Sequence, residues 1–132
     1  MTRDGTVRLL HTSDVHIGAF TERWSPEPGR CLLAFRFIVD RALEEQVDFV
    51  VIAGDFFDHN RVRQPVSDFV AAELARLTMP TVILPGNHDP LERDCVYWRM
   101  DLAERAPRVH LITRPEGETV RLPDLGVALW GR

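Results

Sequence analysis

A chain of 132 residues that is 45% hydrophobic and 27% charged fits one compact domain and excludes a disordered or collagen-like polymer. No apolar run approaches the roughly 20 residues of a membrane span, and the charged segment Met1 to Arg8 is not a secretory signal, so no membrane association is expected. The net charge of −4 argues against gripping nucleic acid by bulk charge, and the two cysteines, Cys31 and Cys95, are too few for a disulfide framework, which points to a reducing cytoplasm. All 16 basic residues are arginine and are spread along the chain, which reads as a compositional bias.

Val7 to Thr12 reads as a short buried strand. Ala19 to Gly29, with Pro26 and Pro28, reads as a loop. From Arg30 to Gln46, Leu32, Phe35, Val39, Ala42 and Leu43 recur at helical spacing. Asp48 to Ala53 is a continuous branched apolar run, as expected of a strand covered on both faces in a parallel sheet. Pro65 to Leu77 follows as a second helix with proline in its first turn, and Thr81 to Leu84 as a third buried strand. Asp94 to Ala106 is expected to be a third helix, stopped by Pro107. Val109 to Ile112, Thr119 to Leu122 and Val127 to Trp130 read as short strands. Strands alternating with helices predict an α/β layered domain whose first part is a mostly parallel sheet.

Ligands of a parallel α/β sheet bind beyond the carboxyl ends of its strands. Here the first three strands run into Asp14-Val15-His16, Gly54-Asp55-Phe56-Phe57-Asp58 and Pro85-Gly86-Asn87-His88-Asp89. Asp14 and His16, two apart, would point the same way from an extended segment. Gly54 frees the backbone where it must turn, Asp55 leaves the strand end with a carboxylate able to bridge two cations, and Gly86 permits a tight turn presenting Asn87 with His88. Carboxylate, amide and imidazole ligands together suit manganese, iron or zinc better than calcium.

The three motifs DxH, GDxxD and GNHD, in this order and each behind a strand, resemble those of the calcineurin-like metallophosphoesterases. The flanks, Leu10 to Gly18 and Val47 to Arg61, are similar to the SbcD-type DNA repair exonucleases, and the likeness covers residues 7 to 90 well. The resemblance implies a layered α/β/β/α sandwich and two divalent ions, manganese foremost. Asp14, His16 and Asp55 would hold one ion, and Asp55 with Asn87 would begin the second site. It implies phosphodiester hydrolysis by a bridging hydroxide, with His88 as the acid and Asp89 orienting its ring. Asp58, His59 and Arg61 would lie near the metals or the substrate. DNA ends, an SMC-like ATPase subunit and a homodimer are the implied partners.

The family completes its metal sites with later histidines, one alone and a pair in a Gly-His-x-His motif, which this sequence lacks. The expectation is therefore the N-terminal portion, residues 1–132, of a nuclease domain incomplete at its C-terminus, with incomplete sites. A small-molecule phosphodiesterase or phosphatase of the same fold, and a non-catalytic scaffold, are the competing readings.

Blander roles stand beside these. Any one cluster could be turn chemistry. His11 reads as structural and His110 as core or sheet edge. His59, Arg61 and Arg63 could contact a phosphate backbone or simply form a surface loop. Tyr97, Trp98 and Met100 read as packing, Cys31 and Cys95 as small buried hydrophobes, and Arg93, Arg99, Arg105 and Arg108 as a solvated face.

Overall fold

The structure, a computed structural model, describes residues 3–19 and 29–132; most of the expected loop between Ala19 and Gly29 lies outside the described residues. Strands β1 (Leu9–Thr12), β2 (Phe49–Ala53), β3 (Thr81–Leu84) and β4 (Val109–Leu111) form one parallel sheet in the order β1-β2-β3-β4. The crossovers carry α1 (Arg30–Glu44), α2 (Gln64–Arg76), and the short pair α3 (Val96–Met100) and α4 (Leu102–Arg105). Successive right-handed crossovers along an unbroken strand order place every helix on one face. Accordingly α1 packs on α2, and α2 on both α3 and α4.

Alternation along the strands explains both layers. Val50, Ile52 and Ile83 face the helices, where they meet Phe35, Val39 and Ala42 of α1 and Val70, Ala71 and Leu74 of α2. Phe56 and Phe57 are fully buried in the same core, each stabilising the fold by about 1.5–3 kcal/mol. Val82 and Leu84 face the other way, onto the antiparallel hairpin of β5 (Glu118–Leu122) and β6 (Val127–Gly131), through Val120, Leu122 and Leu129. Helices, parallel sheet and second sheet thus form three stacked layers. No helix among the described residues is long and apolar enough to cross a membrane.

The single helix expected over Asp94 to Ala106 is instead two, broken at Asp101, which takes a left-handed conformation with φ 52 and ψ 55. Met100 and Leu102, both buried, would lie on opposite sides of a straight helix, and the break lets both reach the core. Trp98 departs from the packing expected of it, being 49% exposed, while Tyr97 and Met100 are buried. His11 is exposed on edge strand β1, and His110, on edge strand β4, meets Glu118 at 3.2 Å. The Glu118 carboxyl is held below its usual range, mainly because it accepts the Thr113 backbone N–H.

Candidate metal centre

The sheet register places the three motifs side by side. Thr12 pairs with Ile52, and Ala53 with Leu84, so the segments leaving β1, β2 and β3 emerge at one edge. Pairing continues beyond the strands. Asp14 N–H donates to the Gly54 carbonyl and His16 N–H to the Asp55 carbonyl, both at 3.0 Å, and Ile17 bridges Phe57. These bonds hold the DxH segment against the GDxxD segment.

The DxH segment is not extended as expected. Asp14 and His16 have φ 55 and 52, and Asp55 has φ 49. Left-handed backbone in a residue with a Cβ costs about 1–3 kcal/mol and persists only where the surroundings impose it. Three of the four expected ligands carry this strain. Gly86 answers a different need: a Cβ there would come within 2.1 Å of Asp55 Oδ1 and 2.4 Å of Asp55 N. Only glycine lets the third loop lie on the second.

His16 Nε2 stands 3.7 Å from Asp14 Oδ1 and 3.8 Å from Asp55 Oδ2. These separations are too long for hydrogen bonds. They suit ligands of one ion, since two atoms each about 2.1 Å from a shared cation stand at most about 4.2 Å apart. His16 Nδ1 lies 2.8 Å from Asp58 Oδ1. A carboxylate only accepts, so Nδ1 carries the proton and Nε2 turns a lone pair toward Asp14 and Asp55. That is the carboxylate–histidine arrangement that orients metal-binding imidazoles. Asp14, His16 and Asp55 therefore fit a divalent cation. His16, Asp58 and His88 also cluster, but there Asp58 meets the ring nitrogen of His16 that faces away from Asp14 and Asp55.

The expectation that Asp89 orients the His88 ring is corrected. His88 Nδ1 lies 3.1 Å from the Asp58 carbonyl and 3.7 Å from Asp58 Oδ1, so Asp58 is the residue at this ring. The carbonyl can only accept, which puts the proton on Nδ1, and the His88 side chain is 45% exposed. The His16 and His88 rings meet edge to face with centroids 4.8 Å apart. Asp89 is fully buried and turns inward, accepting from Phe57 N–H at 3.0 Å, Gly86 N–H at 2.7 Å and the Tyr97 hydroxyl. Burial and the adjoining Asp89 carboxylate push the Tyr97 phenol far above its ordinary range.

Asn87 is exposed and lines an open cleft of about 510 Å³ with His59, Asn60, Arg61, His88 and Glu92. His59 is committed at both nitrogens: Nδ1 accepts Arg61 N–H at 3.1 Å, and Nε2 donates to the Gly18 carbonyl at 3.2 Å. It ties the second loop to the first. Arg61 is exposed on the cleft wall. Sequence reasoning missed Asn60, whose amide donates to Pro90 O at 2.9 Å and whose carbonyl accepts Val96 N–H at 3.3 Å. It also missed the phenol of Tyr97, whose one signal was a polar tip on a core-facing helical position.

The calcineurin-like phosphoesterase family profile matches residues 7–126. The chain is similar to the DNA double-strand break repair protein Mre11 of Aeropyrum pernix, 34% identical over an alignment that covers 92% of this chain and 32% of that protein. Mre11 of Archaeoglobus fulgidus is 34% identical over 67% of this chain and 20% of its own length. The SbcD component of the nuclease SbcCD from Rhodobacter capsulatus is 37% identical over 66% of this chain and 22% of its own. The chain thus spans about a fifth to a third of the length of these relatives.

Proposed function

Because the chain belongs to the calcineurin-like phosphoesterase family, we propose that its strand-end centre serves the hydrolysis of phosphodiesters, with DNA ends as the substrate. The observation that carries this reading is the His16 ring, locked by Asp58 at Nδ1 and aimed at Asp14 and Asp55 by Nε2, beside a half-exposed His88. Divalent ions bound there, manganese foremost and two in number in the complete centre, supply Lewis-acid polarisation of the phosphoryl group and a lowered pKa for water.

The chain's own residues do the rest. Asp14, His16 and Asp55 hold one ion, and Asp55 with Asn87 opens the second position. His88, half-exposed on the cleft wall, gives a proton from Nε2, when protonated, to the leaving oxygen. Arg61 on the cleft wall offers a bidentate partner for a neighbouring phosphate of the strand. DNA enters this reading through the names of the relatives. So do an SMC-like ATPase subunit, a homodimer and a cytoplasmic setting, through the family resemblance.

Incubating the manganese-loaded protein with duplex DNA ends, and in parallel with nucleotide monoesters, tests the proposal. Release of nucleotides from DNA that disappears in Asp55→Ala supports it. Turnover of monoesters alone would replace it with a phosphatase, and neither activity in any assembly would leave a scaffold.

A further inference from the structure

The loops after β2 and β3 are stitched by an exchange of carboxylates. Asp55, on the first loop, accepts the His88 N–H of the second at 2.9 Å through Oδ1. Asp89, on the second loop, accepts the Phe57 N–H of the first at 3.0 Å through Oδ2. Asp89 Oδ1 also takes Gly86 N–H at 2.7 Å, one residue before Asn87. The third donor is the Tyr97 hydroxyl from α3, buried at 1% exposure.

A buried carboxylate is tolerated only when hydrogen bonds replace its lost water. Among the described residues no cationic side chain pairs with Asp89; two backbone N–H groups and one phenol carry the charge. Charge-assisted bonds of this kind are short and directional. They fix the backbone at Phe57, between Asp55 and Asp58, and at Gly86, whose missing Cβ is the room into which Asp55 fits. The high pKa of the Tyr97 phenol keeps the third donor protonated.

We propose that Asp89 and Tyr97 are positioning residues for the cation site, a buried clamp that sets the spacing of Asp55 and Asn87 without touching the ion. This rests on the ion-binding reading given above. The clamp differs from ordinary core packing in one consequence: removing the phenol oxygen alone, with the ring retained, must loosen the ion.

Calorimetric titration of manganese into the 132-residue protein and into Tyr97→Phe, with the electron paramagnetic resonance line shape of the bound ion, tests this. The expected result is a Kd raised about tenfold in Tyr97→Phe, the lower end of what loss of an outer partner costs a metal site, and an altered line shape. An unchanged Kd and line shape, even with a lowered Tm, would overturn the clamp and leave Tyr97 a packing residue. Absence of manganese binding by the unsubstituted protein would instead remove the ion-binding reading itself. Should Tyr97→Phe not fold, amide hydrogen exchange of the unsubstituted protein decides. Slow exchange at Phe57 and Gly86, slower still with a diamagnetic divalent ion, supports the clamp, and fast exchange at both refutes it.

Discussion

Asp58 sits between two imidazoles, its Oδ1 2.8 Å from His16 Nδ1 and 3.7 Å from His88 Nδ1. One carboxylate therefore sets the tautomer of the expected ligand while its own backbone carbonyl fixes the expected acid. Asp58→Ala removes the orienting partner and leaves the ligand atoms in place. The expected outcome is a 10- to 100-fold loss of manganese affinity, roughly the effect of deleting such a partner elsewhere, read by calorimetry with the far-ultraviolet spectrum unchanged.

Asp14 separates function from stability. Its side chain is 65% exposed and its backbone is left-handed at φ 55. Asp14→Gly relieves the strain, against which stands the extra freedom glycine gives the unfolded chain. The ion-free stability should rise by up to about 1 kcal/mol while manganese binding collapses. Asp14→Ala, which keeps the strain, should lose the binding without the gain. Urea unfolding with and without manganese checks both.

Gly86→Ala forces a methyl group onto Asp55, at 2.1 Å from Oδ1 and 2.4 Å from N. Much of that contact is backbone and cannot swing away. The substitution should destabilise the fold by about 1–3 kcal/mol, the range of overpacked cores, and displace Asp55 from the ion. Gly86 is not left-handed, so its cost is the clash alone; Gly5→Ala, where the added Cβ meets nothing within 4 Å but φ is +69, is the converse case of strain without a clash.

Tyr97 is the chain's one tyrosine, so its phenolate absorbance reports a single group. Burial, and then the Asp89 carboxylate, raise its pKa from the ordinary 10.0. Above that value the unfolded chain releases the phenol proton and the folded chain keeps it. Stability from this group is therefore whole below pH 10 and falls by up to about 1.4 kcal/mol per pH unit above it. The expected record is phenolate absorbance rising together with loss of the helical signal. In Tyr97→Phe this component of the alkaline slope vanishes.

The centre's place was legible because three apolar runs ended in ligand-type residues, and a parallel sheet gathers such ends at one edge. Asp14, His16 and Asp55 converge there as their positions suggested, although through left-handed backbone that no spacing reveals. The roles of Asp58 and Asp89 were not legible. Each acidic residue ends a motif near His88, and only the fold decides which turns outward to the imidazoles and which turns inward to Phe57, Gly86 and Tyr97. The break at Asp101 was hidden for a related reason. Helical periodicity describes a straight helix, whereas burial of both Met100 and Leu102 demands a bent one.

The register of β2 against β3, with Ala53 beside Leu84, carries a consequence for quality control. A slip of one residue turns every side chain of a strand to the opposite face. Such a slip would carry Asp55 off Gly86 and His88. Burial already opposes the slip, since Val50 and Ile52 would leave the helix-side core, and a bound divalent ion would add a second, independent check on the same alignment. Its capture would act as proofreading of the sheet, ratifying the one pairing in which three remote stretches of sequence meet.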